Sequence, residues 1–524
     1  MKKALSVIIL TFFIFSLTSC TVIDAGFNTI KEFLSSPVSE KTETEEREKE
    51  IDNSITIGIV ELDTYNPLYT KSKTMKNMLN FIFEPVFSIN SDMTTEGVFA
   101  HSYQTSPDGK SLIINLKEGI KWHDGTPFTA NDVVYTFEKL KSTITNYSYL
   151  VKDINYIKAN GLYSLSVAFY RSVPNPIALF SFPIIKNGSC ESSSFKPIGT
   201  GPFVLYGEKL ISFAEYHGEK SKLDYINVMS VPDDEKFLSL FSASVIDIAD
   251  SLMIDMTSYM PKNNASVYNY VSNKMIFAGF NANSPVFKFA EARRSVSKLF
   301  DRRHISTHIY FSRAMEALSP VNPQSRLYYD NGLSPRSDAS GSALELTEAG
   351  WKKDKRGVFC YSDNKSLTYF TVRILVNSEN SERTKIAEDI SKRMTESGMR
   401  NTLIKCKTDE FSKNVSSGNY DMFIGEIELL PNNDLTELLA TGNNTLNFSD
   451  EKTDIILSQL GTLSTENDIK NVWKSLSERI YETCPVAPIC FIKESLLTSA
   501  KLKNGVEPSV ESMVRQSENW SVYK

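Results

Sequence analysis

Histidine and cysteine are scarce in this chain, at five and six among 524 residues. No spacing among them fits a common zinc pattern, and no Ser or Cys nucleophile has a recognisable histidine base, so neither a metalloenzyme nor a hydrolase finds its machinery here. A basic stripe is also lacking, and the formal net charge of -6 argues against a nucleic-acid partner. Beyond residue 20 no apolar run reaches the roughly 18 to 20 residues needed to cross a bilayer. No internal repeat is visible. What is present is the make-up of a folded soluble body, 41% hydrophobic and 23% charged, with 31 Phe and 23 Tyr to fill cores and wall a ligand site. A length of 524 residues exceeds one ordinary core and implies two or three domains.

The first twenty residues, MKKALSVIILTFFIFSLTSC, have a basic start at Lys2 and Lys3, an apolar stretch through Leu17 and a small-residue ending. That is an export signal. Its LTSC ending resembles the bacterial lipobox, in which the cysteine becomes the acylated N-terminus, here Cys20; a plain signal peptide with a coincidental cysteine is the alternative. Residues 21–54, including SEKTETEEREKE, lack apolar periodicity and are expected to tether the body to the membrane. Acylation of Cys20 leaves Cys190, Cys360, Cys406, Cys484 and Cys490, an odd number, so at least one has no partner within the chain. Cys484 and Cys490 are close enough in sequence to pair.

The fold is expected to begin at SITIGIV, a strand-like run from Ile55. Downstream, IKWHDGTPFTANDVVYTF sets His123 beside Asp124, an arrangement that invites a catalytic reading. Asp124-Gly125 is better explained as a turn, and Thr129 with Asp132 as a capping box opening a helix. His123 has no nucleophile or metal-ligand spacing near it, so its expected role is structural. In the second half, FAEARRSVSKLF puts Phe289, Ala292, Val296 and Leu299 on one helical face. TYFTVRILVN, then a helix carrying Ile386, Ile390 and Met394, then NTLIKCK and YDMFIGEIEL read as strand, helix, strand, strand. Such an order favours parallel pairing and an α/β lobe. His304 and His308 share a helix face, but Arg302, Arg303 and Arg313 disfavour a cation, and a solvated basic helix is expected. GTGPF lacks the Lys-Ser/Thr ending of a phosphate loop and reads as a tight turn.

Four stretches, in order, resemble the family 5 solute-binding proteins of bacterial ABC importers, a group that includes oligopeptide, dipeptide and nickel binders. They are SPDGKSLIINLKEGIKWHDGTPFTANDVVYTFEKL, PIGTGPFVL, EARRSVSKLFDRRHI, and ALELTEAGW followed by SGNYDMFIGE. The resemblance implies a two-lobe α/β clamp of the periplasmic-binding-protein type (type II, cluster C), with an extra mixed α/β subdomain at about 78–195 within lobe I. Lobe I would cover 55–275 and a C-terminal return at 490–524, and lobe II 276–489. The crossings would fall near MIFAGFNAN and PVAPICFI, with Gly279 as a hinge. It further implies a binding protein rather than an enzyme, without cofactor or metal. Such a protein is a monomer on the outer face of the cytoplasmic membrane, or on the periplasmic side of a double-membrane cell, and delivers a peptide or similar small polar solute to an ABC permease and its ATPase. A sensory lipoprotein that signals to a membrane partner without import is the alternative.

By the same resemblance Lys71, Ser72 and Lys73, Tyr147, Asn281 and Phe491 are candidates to face the ligand. A solvated loop is the other reading of the first three, a surface or core aromatic that of Tyr147, and core packing that of Phe491. Peptide binders of the family carry a tryptophan-rich segment with an Asp-Tyr pair that receives the peptide's ammonium; here GEIELLPNNDLTELL has neither. Glu426, Glu428 or Asp434 would have to substitute, although a turn at PNNDL accounts for Asp434 equally well.

Overall fold

A computed structural model describes residues 53–190, 194–250, 265–363, 366–442 and 444–522. The export signal, Cys20 and all but the last two residues of the tether lie outside the described residues. The main elements of the first half are β1 (Ser54–Ile59), α1 (Lys73–Leu79), β2 (Ala100–Thr105), β3 (Ser111–Leu116), α2 (Ala130–Ser142), β4 (Ile154–Ala159), β5 (Ser164–Phe169), β6 (Phe203–Tyr206), β7 (Lys209–Ser212) and β8 (Tyr225–Ser230). β1 pairs in parallel with β8 in a sheet of order β1-β8-β7-β6. Between α1 and β6 the chain builds a separate antiparallel sheet of order β2-β3-β5-β4. In β3 exposed and buried residues alternate strictly, as a sheet with one wet face requires.

The helix that follows starts where its capping residues say it should. Thr129 N donates to Asp132 Oδ2 at 2.8 Å, and the reciprocal bond of the capping box is present. Asp132 Oδ1 also accepts from Asn187 N at 2.9 Å. In the turn before it, Gly125 has φ +80°, and Asp124 Oδ1 accepts from the Thr126 hydroxyl at 2.6 Å. His123 is a clasp. Its main-chain N–H donates to Gly199 O at 2.9 Å, its Nδ1 accepts from Gly199 N at 3.2 Å, and its Nε2 donates to Gly201 O at 2.9 Å. The two motifs, WHDGTPF and GTGPF, thus hold each other in place.

That clasp needs a neutral ring, because a proton on Nδ1 would face the Gly199 N–H. Burial accordingly lowers the His123 pKa. The unfolded chain, with a His pKa near 6.5, takes up a proton that the folded clasp refuses. Stability held by His123 is therefore complete above pH ~6.5 and lost as the pH falls below it. Unfolding midpoints at pH 7 and pH 5 should show a steeper acid loss in the wild type than in His123→Gln; equal slopes would contradict the clasp.

The second half contains β9 (Ile248–Asp250), β10 (Ser266–Phe280), α3 (Ala290–Lys298), β11 (Ala314–Glu316), β12 (Thr371–Asn377), α4 (Ser381–Glu396), β13 (Arg400–Cys406), β14 (Met422–Glu428), α5 (Glu466–Thr483) and β15 (Val486–Thr498). Their sheet runs β9-β15-β10-β14-β12-β13, with β11 also paired to β15. β12 pairs in parallel with both β13 and β14, as the strand, helix, strand order requires. Ile386, Ile390 and Met394 on α4 are fully buried, and so are Ala292, Val296 and Leu299 in and just after α3.

Two long antiparallel strands, β10 and β15, belong to both lobes. Tyr270 and Leu496 enter the core that runs from Ile55 to Ile248 and resumes at Leu502 to Val522. Val271, Met275 and Phe491 enter a core built from residues up to Val486. Where the cores change hands, the β10–β15 register shifts between Val271 and Met275. Gly279, expected as a hinge, instead lies in the regular ladder opposite Phe423 and Val486. A Cβ there would meet the Phe423 ring at 2.5 Å, so this glycine permits close packing.

The solvated basic helix is only partly as expected. His304 and His308 stack at 4.6 Å between ring centroids, but Arg302 is buried and bonds the main chain across lobe II. Cys190, Cys360, Cys406, Cys484 and Cys490 are all free thiols, so the bridge between Cys484 and Cys490 does not form. No helix among the described residues is long and apolar enough to cross a membrane.

Candidate ligand-binding site

The two lobes meet along a seam that holds a cavity of about 340 Å³. Lobe I supplies Lys76 from α1, Tyr147 and Tyr149 from the loop after α2, and Glu511 from the C-terminal return; lobe II supplies Glu428 and Leu429 at the end of β14. Asn273, in the register shift of β10, also faces it. Aromatic walls with a few charges suit a small polar solute. At one end Glu84 accepts from Tyr216 Oη at 2.7 Å and from His217 Nε2 at 2.9 Å. Burial and that carboxylate push the Tyr216 phenol upward, so it stays a donor.

A second space of about 650 Å³ lies further along the seam, between Asp153 and Arg171 of lobe I and Phe277, Phe423 and Glu426 of lobe II. Arg171 ties its edge. Its guanidinium sits 2.7 Å from Asp153 and 2.5 Å from Asp434, whose side chain is only 3% exposed. More exposed bridges, Lys152 with Glu437 at 2.5 Å and Arg326 with Asp92 at 2.8 Å, span the same seam.

The residues singled out from sequence fare unequally. Tyr147 and Glu428 line the first cavity, and Glu426 the second. Lys71, before α1, and Lys73, its first residue, are exposed and outside both linings. Ser72 is buried as the helix N-cap, accepting from Met75 N at 3.3 Å, which is a local duty. Asn281 is spent on the main chain: its amide donates to Gly418 O at 3.1 Å and Tyr420 O at 2.9 Å, and its oxygen accepts from Asn283 N and Asn447 Nδ2. Asp434 is committed to Arg171 and to the Thr436 N–H at 2.9 Å, so it has no room for a ligand cation. Phe491 is fully buried in the lobe II core rather than in the cleft wall.

A family model described as bacterial extracellular solute-binding proteins, family 5 Middle, matches residues 94–444. The chain belongs to that family. Such proteins bind their solutes and do not transform them. Among relatives of this family 5 protein, an oligopeptide-binding protein AppA of Bacillus subtilis is 23% identical over 69% of this chain and 70% of its own. A heme-binding protein A of Haemophilus influenzae is 20% identical over 75% and 78%. The fold matches the solved HbpA2 of Haemophilus parasuis, at TM-score 0.76 and 15% identity, over 90% of this chain and all of that one. It also matches NikZ of Campylobacter jejuni, in complex with Ni(L-His), at TM-score 0.62 and 20% identity, over 90% and 99%.

Several cavity residues of this family 5 protein escaped the sequence reading. Tyr149 stands two residues beyond Tyr147 and was within reach of the same reasoning. Glu84 gives a faint signal, as a lone carboxylate in the apolar run FIFEPVF. Glu511 gives none, because only the return of the chain to lobe I brings it to the seam.

Proposed function

We propose that this chain is the lipid-anchored capture component of an ABC importer, acylated at Cys20. It would act as a monomer holding peptides or similar small polar solutes between lobe I (about 55–275 and 490–524) and lobe II (about 276–489). The observation that carries this reading is the cavity whose walls come from both lobes, since a solute touching both faces favours their approach. The register shift at Ser272–Lys274, where β10 passes from one core to the other, is a suitable place for the bend. The relatives named for oligopeptides and heme support the solute class only broadly, which leaves the walls of the cavity to set the choice. The test is mass spectrometry of solutes that co-purify with the full chain extracted in mild detergent, together with thermal shift on adding peptide pools. A bound small polar molecule and a raised melting temperature are expected; a chain that carries nothing and responds to no solute would refute the proposal.

A further inference from the structure

Charge in the first cavity is unbalanced in one direction. Its cations are mostly occupied: Arg515 pairs with Glu96 at 2.9 Å, and Lys117 donates to Gly97 O at 3.1 Å. Lys76 remains, with its ammonium 5.8 Å from the centre of the Tyr147 ring. Among the acids, Glu84 is satisfied by Tyr216 and His217. Glu511 and Glu428 have no ion-pair partner among the described residues, and Lys274, opposite Glu428 in the ladder, pairs instead with Glu494 at 2.9 Å. Glu511 comes from the C-terminal return of lobe I, and Glu428 from lobe II. Both lie close enough to Tyr149 to push its phenol upward after the larger effect of burial.

We infer that the solute held here carries a protonated amine, received by Glu511 of the C-terminal return, with Glu428 closing on it from the other lobe and Tyr147 and Tyr149 as aromatic walls. This rests on the cavity being the solute site. An ammonium beside Glu428 and Glu511 would gain the attraction of Glu428 directly and of Glu511 once its proton leaves, and a ring face adds cation–π attraction. Burial pushes the Glu511 carboxyl up to about 8, against the smaller opposing effects of the Ser181 hydroxyl and of Lys76. The empty site therefore keeps a proton on Glu511 at neutral pH. An arriving ammonium expels that proton to solvent, and affinity rises as the pH increases from 6 to 8. The charged and titratable groups around the carboxyl, Lys76, Tyr147, Tyr149, Glu428, Arg515 and Glu518, all belong to the same lining.

The experiment measures binding to the full chain by thermal shift and calorimetry with three probes: a tryptic peptide pool, the same pool acetylated at every amine, and spermidine. The free-amine pool or spermidine should bind at least about tenfold more tightly than the acetylated pool, and whichever binds identifies the source of the amine. Glu511→Gln, close to isosteric, should remove that preference and the proton release, and Glu428→Gln should weaken it. Acetylated peptides bound as tightly as free ones, or Glu511→Gln at wild-type affinity, would overturn the inference while leaving a peptide receptor standing. No response to any of the three would overturn the peptide-receptor reading and the inference with it.

Discussion

Gly199→Ala should cost lobe I about 4 kcal/mol or more, read as a lowered midpoint of denaturant unfolding. A Cβ on Gly199 would stand 1.8 Å from the carbonyl oxygen of Ile82, a main-chain atom in a buried segment. No rotamer change can relieve that contact, so the backbone must move by more than an ångström. The motion would break what the glycine holds in place. Gly201 N donates to Ile82 O at 2.8 Å, and His123 bonds Gly199 through both its main-chain N–H and its ring. Each donor left unpaired in the interior adds about 1–3 kcal/mol. The neighbouring residue is the control. Thr200 is buried and its hydroxyl has no hydrogen-bond partner, so Thr200→Val should change stability little. Equal, small effects from both substitutions would mean that the two motifs do not clasp as described.

Arg302→Met should lower lobe II stability by about 2–4 kcal/mol. Arg302 is a buried guanidinium with no carboxylate opposite it. Its Nε donates to Ala317 O at 3.0 Å and to Pro488 O at 2.8 Å, and its outer nitrogens reach Ser297 O at 3.2 Å and Ser297 Oγ at 3.1 Å. Burial pushes its pKa down to about 10, which still leaves it charged at neutral pH. Two effects compete. Burying a cation costs several kcal/mol, which methionine would recover. Against that, methionine removes the side-chain donor from the carbonyls of Ala317 and Pro488 in the interior, and bonds from a charged donor are worth roughly 1.5–3 kcal/mol each. With four such bonds the loss should win. Arg302→Lys should rescue only part, since one ammonium cannot present the same planar fork. A methionine variant as stable as wild type would show that the burial cost of the cation cancels its bonds.

How far sequence could reach depended on whether a residue's role is local. The capping box of Thr129 and Asp132, the turn at Asp124 and the apolar face of α4 are settled within one helical turn, and all appear as read. Parallel pairing of β12 with β13 and β14 followed from the order of elements. Residues whose partners are distant were illegible. Asn281 looks like a ligand donor until the carbonyls of Gly418 and Tyr420 fold beside it. Phe491 lies on one face of a strand, and which face meets solvent is decided by register rather than by the residue itself. Asp434 does make the turn that PNNDL suggests, but Arg171, 263 positions earlier, also claims its carboxylate. Of the cavity, Tyr147 and Glu428 were within reach, whereas Glu511 was not, because only the double passage of β10 and β15 brings the C-terminal return to the seam.

The Arg171 bridge bears on how heat acts on the seam. Any separation of the lobes along that edge trades a partly dehydrated pair of ions, with Asp434 the buried member, for two hydrated ones. Water's hold on isolated charges weakens as temperature climbs, so warming biases this trade toward contact. The contact between Arg171 and the buried Asp434 should therefore hold this edge of the seam more firmly in a warm cell than in a cold one.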